Sequence, residues 1–380
     1  MLKVSSRSMI PPFIVMDVMR AANERVPLDG QTIHLEVGQP STSAPLRVIE
    51  EAKRLLDKEI LAYTEALGIA PLRKRIARYY QDFYSLDVDC DQIVITTGSS
   101  AGLLLACLST FDAGDKVAVV PPCYPAHKNI LKALNVNIVE LPVDEKSSFQ
   151  LSIDQLESLP EQIDGLIIAS PSNPTGAMLQ QPLLQGITQW CEDQGVRFIS
   201  DEIYHGIVYD AKAETAKAYS ESSIVINSFS KYFSMTGWRL GWMVVPKNLI
   251  RPVERLTQNL FISPPSLSQK AAVVVFDCME ELNQNVIHYK KNREIFKGGL
   301  PEAGLGRLPS IEGAFYAYVN TSAFTNDSED FCHQMLNEAG IAATPGKDFD
   351  SDRGKHYVRF CFAGSTKDIS EAIIRLKCWL

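Results

Sequence analysis

Short, continuous apolar runs alternate with helical patterns between residues 93 and 245. An unbroken apolar run is typical of a strand buried on both faces of a parallel sheet. The strands predicted in this way cover residues 93–97, 116–120, 165–169, 196–200, 223–227 and 240–245, with helices at 101–111, 126–134 and 179–194. The pattern predicts an α/β domain with a mostly parallel sheet flanked by helices.

The pattern changes after about residue 263, where a Ser-Pro-Pro sequence interrupts the chain. A long helical stretch at 266–296 follows, and then strand-like pieces at 315–319 and 357–362 alternate with helices at 328–339 and 369–379. This is typical of a smaller α+β domain, against which we expect the first 40 residues to pack. The predicted division is a large α/β domain at 41–265 and a small α+β domain formed by 1–40 and 266–380.

Composition narrows the classes of function. The chain has 380 residues, with 37 Lys and Arg against 45 Asp and Glu, so its formal net charge is 37 − 45 = −8. This acidic balance, without a basic cluster, argues against nucleic acid as a partner. The longest apolar runs are far shorter than the roughly 20 residues that a membrane span needs. With no apolar signal core near the N-terminus, we expect a cytoplasmic protein.

Eight cysteines are present, and none forms a C-x-x-C pair. The cysteine and histidine spacings match no zinc pattern, so we predict no metal site. Several cysteines lie in apolar runs. We therefore expect buried free thiols in a reducing compartment.

Unusual polar loops follow five of the predicted strands. Ligands of α/β sheets bind beyond the carboxyl ends of the strands, so these loops should line one crevice. Each loop also has an ordinary explanation when taken alone, such as a serine or aspartate helix cap, an Asn-Pro turn or a solvated surface lysine. The loops begin or continue with Gly98-Ser99-Ser100, PPCYP at 121–125, PSNPTG at 171–176, DEIY at 201–204 and SFSK at 228–231.

The set of motifs is far more specific than its members. SPSNPTG, SDEIY, SFSK and GWRLG occur in this order, and residues 228–241 read SFSKYFSMTGWRLG. With these motifs, the chain resembles the fold-type I pyridoxal-phosphate enzymes, specifically the class I/II aminotransferase family, from about Ser8 to Leu380. The resemblance implies pyridoxal 5'-phosphate as cofactor, an L-amino acid and a 2-oxo acid as substrates, and a homodimer with shared active sites.

The resemblance also implies roles around the cofactor ring. Lys231 resembles the lysine that binds the cofactor aldehyde covalently and later moves the proton at the substrate Cα. Asp201 resembles the partner of the ring nitrogen, which keeps the ring protonated and electron-withdrawing. Asn173 and Tyr204 resemble the donors to the phenolic oxygen, and Tyr124 resembles the aromatic residue that stacks on the ring.

Phosphate binding is implied by the same resemblance. Ser99 and Ser100 match a helix-start anion site. Ser228 and Arg239 resemble further phosphate ligands, with Ser230 as an additional one.

Other matched positions concern the substrate and the second subunit. Arg359, in YVRFCF, resembles the arginine that grips the substrate α-carboxylate, and Gly38 and Asn173 resemble its companions. Tyr63 matches a tyrosine that reaches the phosphate of the neighbouring subunit, so the site would be completed only in a dimer.

Substrate preference is less well indicated. The second cation of aspartate-specific members is absent both at Ser100 and in residues 258–261, QNLF. Aromatic residues at Phe13, Phe261 and Phe315 favour a neutral or aromatic amino donor. The chain also departs from the family at Glu312, where proline is usual, and at Asp350, where glycine is usual, which leaves two local loop shapes open.

Two alternatives remain at this stage. The same scaffold supports β-elimination from a sulfur amino acid (a C–S lyase), which would need the same lysine, aspartate and arginine. A cofactor-binding transcription regulator would need an attached basic winged-helix segment, and we expect none here because the aminotransferase pattern starts within the first 15 residues.

Overall fold

The computed structural model describes residues 2–26, 31–306 and 308–380. In these ranges the strands are β1 Ile33–His34, β2 Ile93–Thr96, β3 Lys116–Val119, β4 Asn137–Glu140, β5 Gly165–Ala169, β6 Arg197–Asp201, β7 Ile224–Ser228, β8 Gly241–Val244, β9 Tyr316–Asn320, β10 Ile341–Ala342, β11 Thr344–Pro345 and β12 Tyr357–Cys361. The α-helices are α1 Ile14–Glu24, α2 Leu46–Lys58, α3 Ala70–Tyr84, α4 Gly98–Thr110, α5 Pro125–Ala133, α6 Ile153–Glu157, α7 Gln181–Gln194, α8 Ile250–Leu260, α9 Ser266–Ala272, α10 Met279–Glu302, α11 Ser328–Gln334 and α12 Thr366–Trp379.

Seven strands form the main sheet, in the order β2-β8-β7-β6-β5-β3-β4. All neighbours are parallel except β8, which runs antiparallel to both β2 and β7. Successive residues of a strand face opposite sides of the sheet. In β5, Leu166 and Ile168 join one hydrophobic core while Ile167 joins a second one. Both faces of the sheet are therefore buried, which confirms the mostly parallel α/β prediction.

A smaller antiparallel sheet, β11-β12-β9, lies C-terminal to the main one. Its central strand places Arg359 opposite Thr344 on β11 and Tyr318 on β9. Strand β1 pairs in parallel with β10, with Ile33 opposite Ile341. The N-terminal segment is thus tied to the C-terminal half of the chain.

Two differences from the sequence prediction concern the edge of the main sheet and the long C-terminal helix. Strand β4 was not predicted, because this edge strand is half-buried and begins and ends on the polar residues Asn137 and Glu140. The single helix expected at 266–296 is divided, since α9 ends at Ala272 and α10 begins at Met279. Three consecutive valines, at 273–275, lead into the break, and β-branched residues are weak helix formers.

The eight cysteines are all free thiols. Six are buried and Cys90 is partly buried, whereas Cys378 is exposed on the last helix, so the expectation of burial is wrong for that residue. Within the described ranges, no helix is both long enough and apolar enough to cross a bilayer.

Candidate active site

A cavity of about 460 Å³ lies beyond the carboxyl ends of the central strands. The loops that follow β2, β5, β6 and β7 meet there with the N-terminal segment and with β12. Of the thirteen site residues predicted from the sequence, eleven line this cavity: Gly38, Ser99, Ser100, Tyr124, Asn173, Asp201, Tyr204, Ser230, Lys231, Arg239 and Arg359.

Lys231 projects into the cavity from the loop after β7. Its ammonium group donates a hydrogen bond to the carbonyl oxygen of Gly38, and burial lowers the pKa of this lysine to about 8. A side chain at position 38 would place its Cβ only 1.8 Å from the hydroxyl of Tyr316. Glycine is therefore required here for the backbone to reach the lysine.

Asp201, the last residue of β6, is 7% exposed. Its Oδ2 lies 3.0 Å from Nε2 of His127, and its Oδ1 accepts a hydrogen bond from the backbone N–H of Ile203 at 3.3 Å. The sequence analysis missed His127. The available signal was a histidine in the first turn of α5, three residues after Tyr124.

Three hydroxyl or aromatic side chains surround the same space. The hydroxyl groups of Tyr204 and Tyr316 lie 2.6 Å apart. Tyr124 contacts Phe13 edge-to-face, with 5.7 Å between the ring centres. Tyr316 is a further residue that the sequence analysis did not select.

Arg359 is 2% exposed, and its guanidinium contacts both hydrogen-bond acceptors and aromatic rings. Its NH1 group donates to Oδ1 of Asn173 at 2.8 Å, and NH2 donates to the Thr344 hydroxyl at 3.1 Å and to the carbonyl of Glu36. The guanidinium carbon lies 4.4 Å from the ring centre of Tyr316 and 4.8 Å from the ring centre of Phe349. Among the described residues its buried Nε has no hydrogen-bond partner, so the guanidinium keeps one unsatisfied donor.

An anion cradle is formed at the start of α4. The first turn of this helix contains Ser99 and Ser100, whose backbone N–H groups have no partners within the helix. Gly98 has a φ of +74°, and a Cβ there would come within 2.5 Å of the Arg239 guanidinium. The helix dipole, the arginine and the hydroxyl of Ser230 together favour a phosphate group.

Two predicted residues lie elsewhere. Ser228 is 1% exposed, and its hydroxyl donates to the Leu240 carbonyl at 3.2 Å and accepts from the Ser230 N–H at 3.0 Å. It therefore supports the loop behind the cavity wall and does not line the cavity, so its role as a phosphate ligand stays a prediction. Tyr63 is 80% exposed and does not reach the cavity of its own chain.

Of the three aromatic residues that were expected to favour a neutral or aromatic donor, one lines the cavity. Phe13 lines the cavity, together with Val15 and Met16 from the start of α1. Phe315 is fully buried against Tyr204 and Tyr289, and Phe261 lies at the end of α8 outside the cavity wall. Neither of these two side chains lines the cavity of its own chain, so only Phe13 supports the expected aromatic or neutral donor there.

The two departures from the family pattern have local structural roles. The Glu312 carboxylate accepts hydrogen bonds from the Met178 N–H at 3.0 Å and from the Gln180 amide at 3.2 Å. The buried Asp350 carboxylate accepts from the backbone N–H groups of Asp352 and Arg353, both at 3.0 Å, and from the Arg353 side chain. Both carboxylates accept hydrogen bonds within or beside their turns, and neither lines the cavity.

The donor set fits one kind of cofactor. The cavity combines a cradle for a phosphate dianion with a buried carboxylate for a protonated ring nitrogen. A lysine with a lowered pKa, suited to a covalent bond with an aldehyde, lies in the same cavity. These residues fit pyridoxal phosphate.

The fold and site define a pyridoxal-phosphate enzyme of fold type I, and the comparisons with known proteins specify the family. Residues 31–376 match the family described as "Aminotransferase class I and II", and the chain belongs to it. The protein is an aminotransferase, and its cofactor is pyridoxal 5'-phosphate.

Individual relatives agree with this assignment. The chain is 46% identical to a valine–pyruvate aminotransferase of Mycobacterium tuberculosis, over 100% of this chain and 98% of that protein. It is 30% identical to an aspartate aminotransferase of Sulfolobus acidocaldarius, over 90% of this chain and 88% of that protein. A crystal structure of an aminotransferase from Mycobacterium tuberculosis superposes with a TM-score of 0.98 at 45% identity, covering 100% of this chain and 99% of that one.

Proposed function

We propose that this aminotransferase takes its amino group from an amino acid with an apolar side chain and passes it to a small 2-oxo acid such as pyruvate. One observation carries the proposal. Among the described residues that line the cavity, the basic side chains are Lys231, Arg239 and Arg359, and the role we assign to each leaves none for a second substrate carboxylate. The wall formed by Phe13 and its neighbours on α1 is apolar instead, and the relationship to a valine–pyruvate aminotransferase supports the same substrate class.

In the proposed reaction, Lys231, Asp201 and His127 act on the cofactor aldehyde and the cofactor ring. When bound, pyridoxal phosphate supplies an aldehyde that binds amines and a ring that withdraws electrons from the substrate Cα. Lys231 would hold that aldehyde, and its amine, whose pKa is lowered by burial, would be the group that accepts the proton from the substrate Cα. Asp201 keeps the ring nitrogen protonated, and His127 orients the aspartate.

The remaining groups position the reactants. Ser99, Ser100, Ser230 and Arg239 would hold the phosphate, Asn173 and Tyr204 would donate to the phenolic oxygen, and Tyr124 would pack on the ring. The Arg359 guanidinium and the backbone at Gly38, which both line the cavity, would orient the α-carboxylate of the donor.

We also propose that the enzyme is a homodimer with shared sites. Tyr63 is 80% exposed, and nearby apolar side chains at Leu56, Ile60 and Ile262 are 62%, 90% and 53% exposed. The segment is held against α9 through a hydrogen bond from the Gln269 amide to the Thr64 hydroxyl, at 2.9 Å. An exposed apolar patch around a tyrosine on an anchored segment suits contact with a second copy, and Tyr63 would then bind the cofactor phosphate held by that copy.

We also propose a division of the chain into two domains and a cytoplasmic location. The division into residues 41–265 and residues 1–40 plus 266–380 is supported by the sheets, since the seven-stranded sheet lies within the first part and the smaller sheets within the second. A cytoplasmic location is supported by the eight free thiols, which are typical of a reducing compartment.

A matched pair of donors tests the substrate class. Leucine and aspartate both branch at Cγ but differ in charge, so the reaction of purified holoenzyme with each is followed through cofactor absorbance. Burying a carboxylate without a partner is costly, and we expect kcat/KM for leucine to exceed that for aspartate by at least about tenfold. Alanine formation from added pyruvate then confirms transfer. A rate with aspartate equal to or above that with leucine would overturn the proposal.

A further inference from the structure

The first turn of α1 is capped by a carboxylate from the other end of the chain. Oδ1 of Asp348 accepts a hydrogen bond from the backbone N–H of Ile14 at 3.0 Å, and Oδ2 accepts one from Val15 at 3.4 Å. The two contacts join residues that are more than 330 positions apart in the sequence. The residue at the helix's own N-cap position, Phe13, has no side-chain acceptor to offer.

This contact is buried and charge-assisted. Asp348 is 8% exposed, and burial raises the pKa of its carboxyl to about 6, so the group is ionised at neutral pH. A carboxylate at a helix N-terminus is favoured by both the free N–H groups and the helix dipole. The two hydrogen bonds to Asp348 therefore fix the position of the start of α1.

The residues held in this way form part of the active-site wall. Phe13, Val15 and Met16 all line the cavity, and the Phe13 ring lies against Tyr124. The capped N–H groups belong to this segment itself. A shift of the cap would move the apolar wall rather than the cofactor residues.

The same turn is also connected to Arg359. Asp348 ends a short turn, Gly346–Asp348, that follows β11, and β11 pairs with β12 so that Thr344 lies opposite Arg359. The next residue, Phe349, packs its ring on the Arg359 guanidinium. One turn therefore carries both the support for the α-carboxylate arginine and the cap of the apolar wall.

We propose that Asp348 is a positioning residue that determines side-chain specificity, because it fixes the start of α1 at the distance from Arg359 that an apolar amino acid requires. The inference rests on the proposed apolar substrate class. It predicts that loss of the cap reduces the preference for large apolar donors over alanine, whose methyl group extends least toward the wall.

The test compares Asp348→Ala with a control variant, Asp327→Ala. Asp327 also accepts two backbone hydrogen bonds, from Glu329 and Asp330 at the start of α11, and that helix packs on the turn that contains Asp348. The control therefore loosens a neighbouring helix without touching α1. In each holoenzyme, kcat/KM is measured for leucine and for alanine from the cofactor absorbance.

We expect the leucine-to-alanine ratio to fall about tenfold in Asp348→Ala and less than twofold in Asp327→Ala, since a well-formed apolar pocket discriminates by about 10- to 200-fold per methylene. Asp348→Asn, which keeps one acceptor oxygen, should give a smaller fall and serves if the alanine variant does not fold. In a Phe13→Ala background the effect of Asp348→Ala should be largely lost, because both changes act through the same wall.

An unchanged ratio in a folded Asp348 variant, or an equal fall in the control, would overturn the inference. A failure of the substrate proposal is distinguishable, because it appears in the unmodified enzyme as the absence of any preference for leucine over aspartate or alanine.

Discussion

At the residue scale, the burial of Lys231 changes the pKa of its amine and therefore its reactivity. Its ammonium is buried in the cavity, and burial disfavours the charged form. An exposed lysine has a pKa of about 10.4 and is almost fully protonated at pH 8. The pKa of about 8 gives Lys231 a large neutral fraction under ordinary conditions, which a nucleophile and a proton acceptor both need.

This difference predicts the pH dependence of chemical labelling. In apoenzyme treated with trinitrobenzenesulfonate, only neutral amine reacts, so labelling of Lys231 should rise with pH to a midpoint near 8. The labelled peptide is quantified by mass spectrometry, with the exposed lysines as internal controls. A midpoint for Lys231 near that of the exposed lysines would show that the amine is not desolvated.

Residues at strand ends were predictable, while residues that act through distant contacts were not. Asp201 and Lys231 stand out because a charged residue follows an apolar strand. His127 meets Asp201 across 74 positions and Asp348 meets Ile14 across 334, and no local pattern records either contact. The occupied hydroxyl of Ser228 is likewise a matter of loop geometry.

At the scale of elements, the segment from Leu35 to Gln39 contacts both the substrate-binding arginine and the cofactor-binding lysine. The carbonyl of Glu36 accepts from Arg359, and the carbonyl of Gly38 accepts from Lys231. Leu35 anchors the segment, since its carbonyl accepts from the Cys361 N–H at 2.7 Å. A displacement of this segment should therefore affect the substrate and the lysine together.

Gly38→Ala tests that role. The added methyl would overlap the Tyr316 hydroxyl, which cannot simply move because it is hydrogen-bonded to Tyr204. We expect kcat/KM to fall by roughly fivefold to a hundredfold for every donor, which corresponds to an overpacking cost of ~1–3 kcal/mol.

The control for this change is Gly298→Ala on α10, where an added methyl meets nothing within 4 Å. It should retain full activity and gain ~0.5–1 kcal/mol in denaturant unfolding, because alanine favours the helix. Normal kinetics in Gly38→Ala would show that the segment tolerates displacement.

Buried elements were more predictable than exposed edge strands and helix breaks. The fully buried strand β5 has the predicted bounds, whereas the half-exposed edge strand β4 carries too weak an apolar pattern to be recognised. The break between α9 and α10 follows three valines within an otherwise helical pattern, so packing decides it more than periodicity does.

At the scale of the whole molecule, the proposed shared site needs two copies of the chain. The Tyr63 hydroxyl lies outside its own cavity and would bind the partner's phosphate through a charge-assisted hydrogen bond worth ~1.5–3 kcal/mol. Tyr63→Phe should therefore weaken cofactor affinity by roughly tenfold to a hundredfold.

Subunit exchange tests whether Tyr63 acts in trans. Tyr63→Phe and Lys231→Ala chains carry different tags, and the mixed dimer is isolated and assayed at a cofactor concentration that leaves Tyr63→Phe sites largely empty. If Tyr63 acts in trans, one site has both defects and the other has neither, so activity should approach one working site per dimer. If every site keeps one defect, no gain over the parents appears, and the shared-site proposal is contradicted.

The central claim is that the cavity around Lys231 is the catalytic site, and cofactor attachment tests it most directly. Holoenzyme is reduced with borohydride, digested and mapped by mass spectrometry. The account predicts the pyridoxyl group on Lys231, with no label in Lys231→Ala treated in the same way. A pyridoxyl group on another lysine, such as the buried Lys128 or Lys217, would contradict the account.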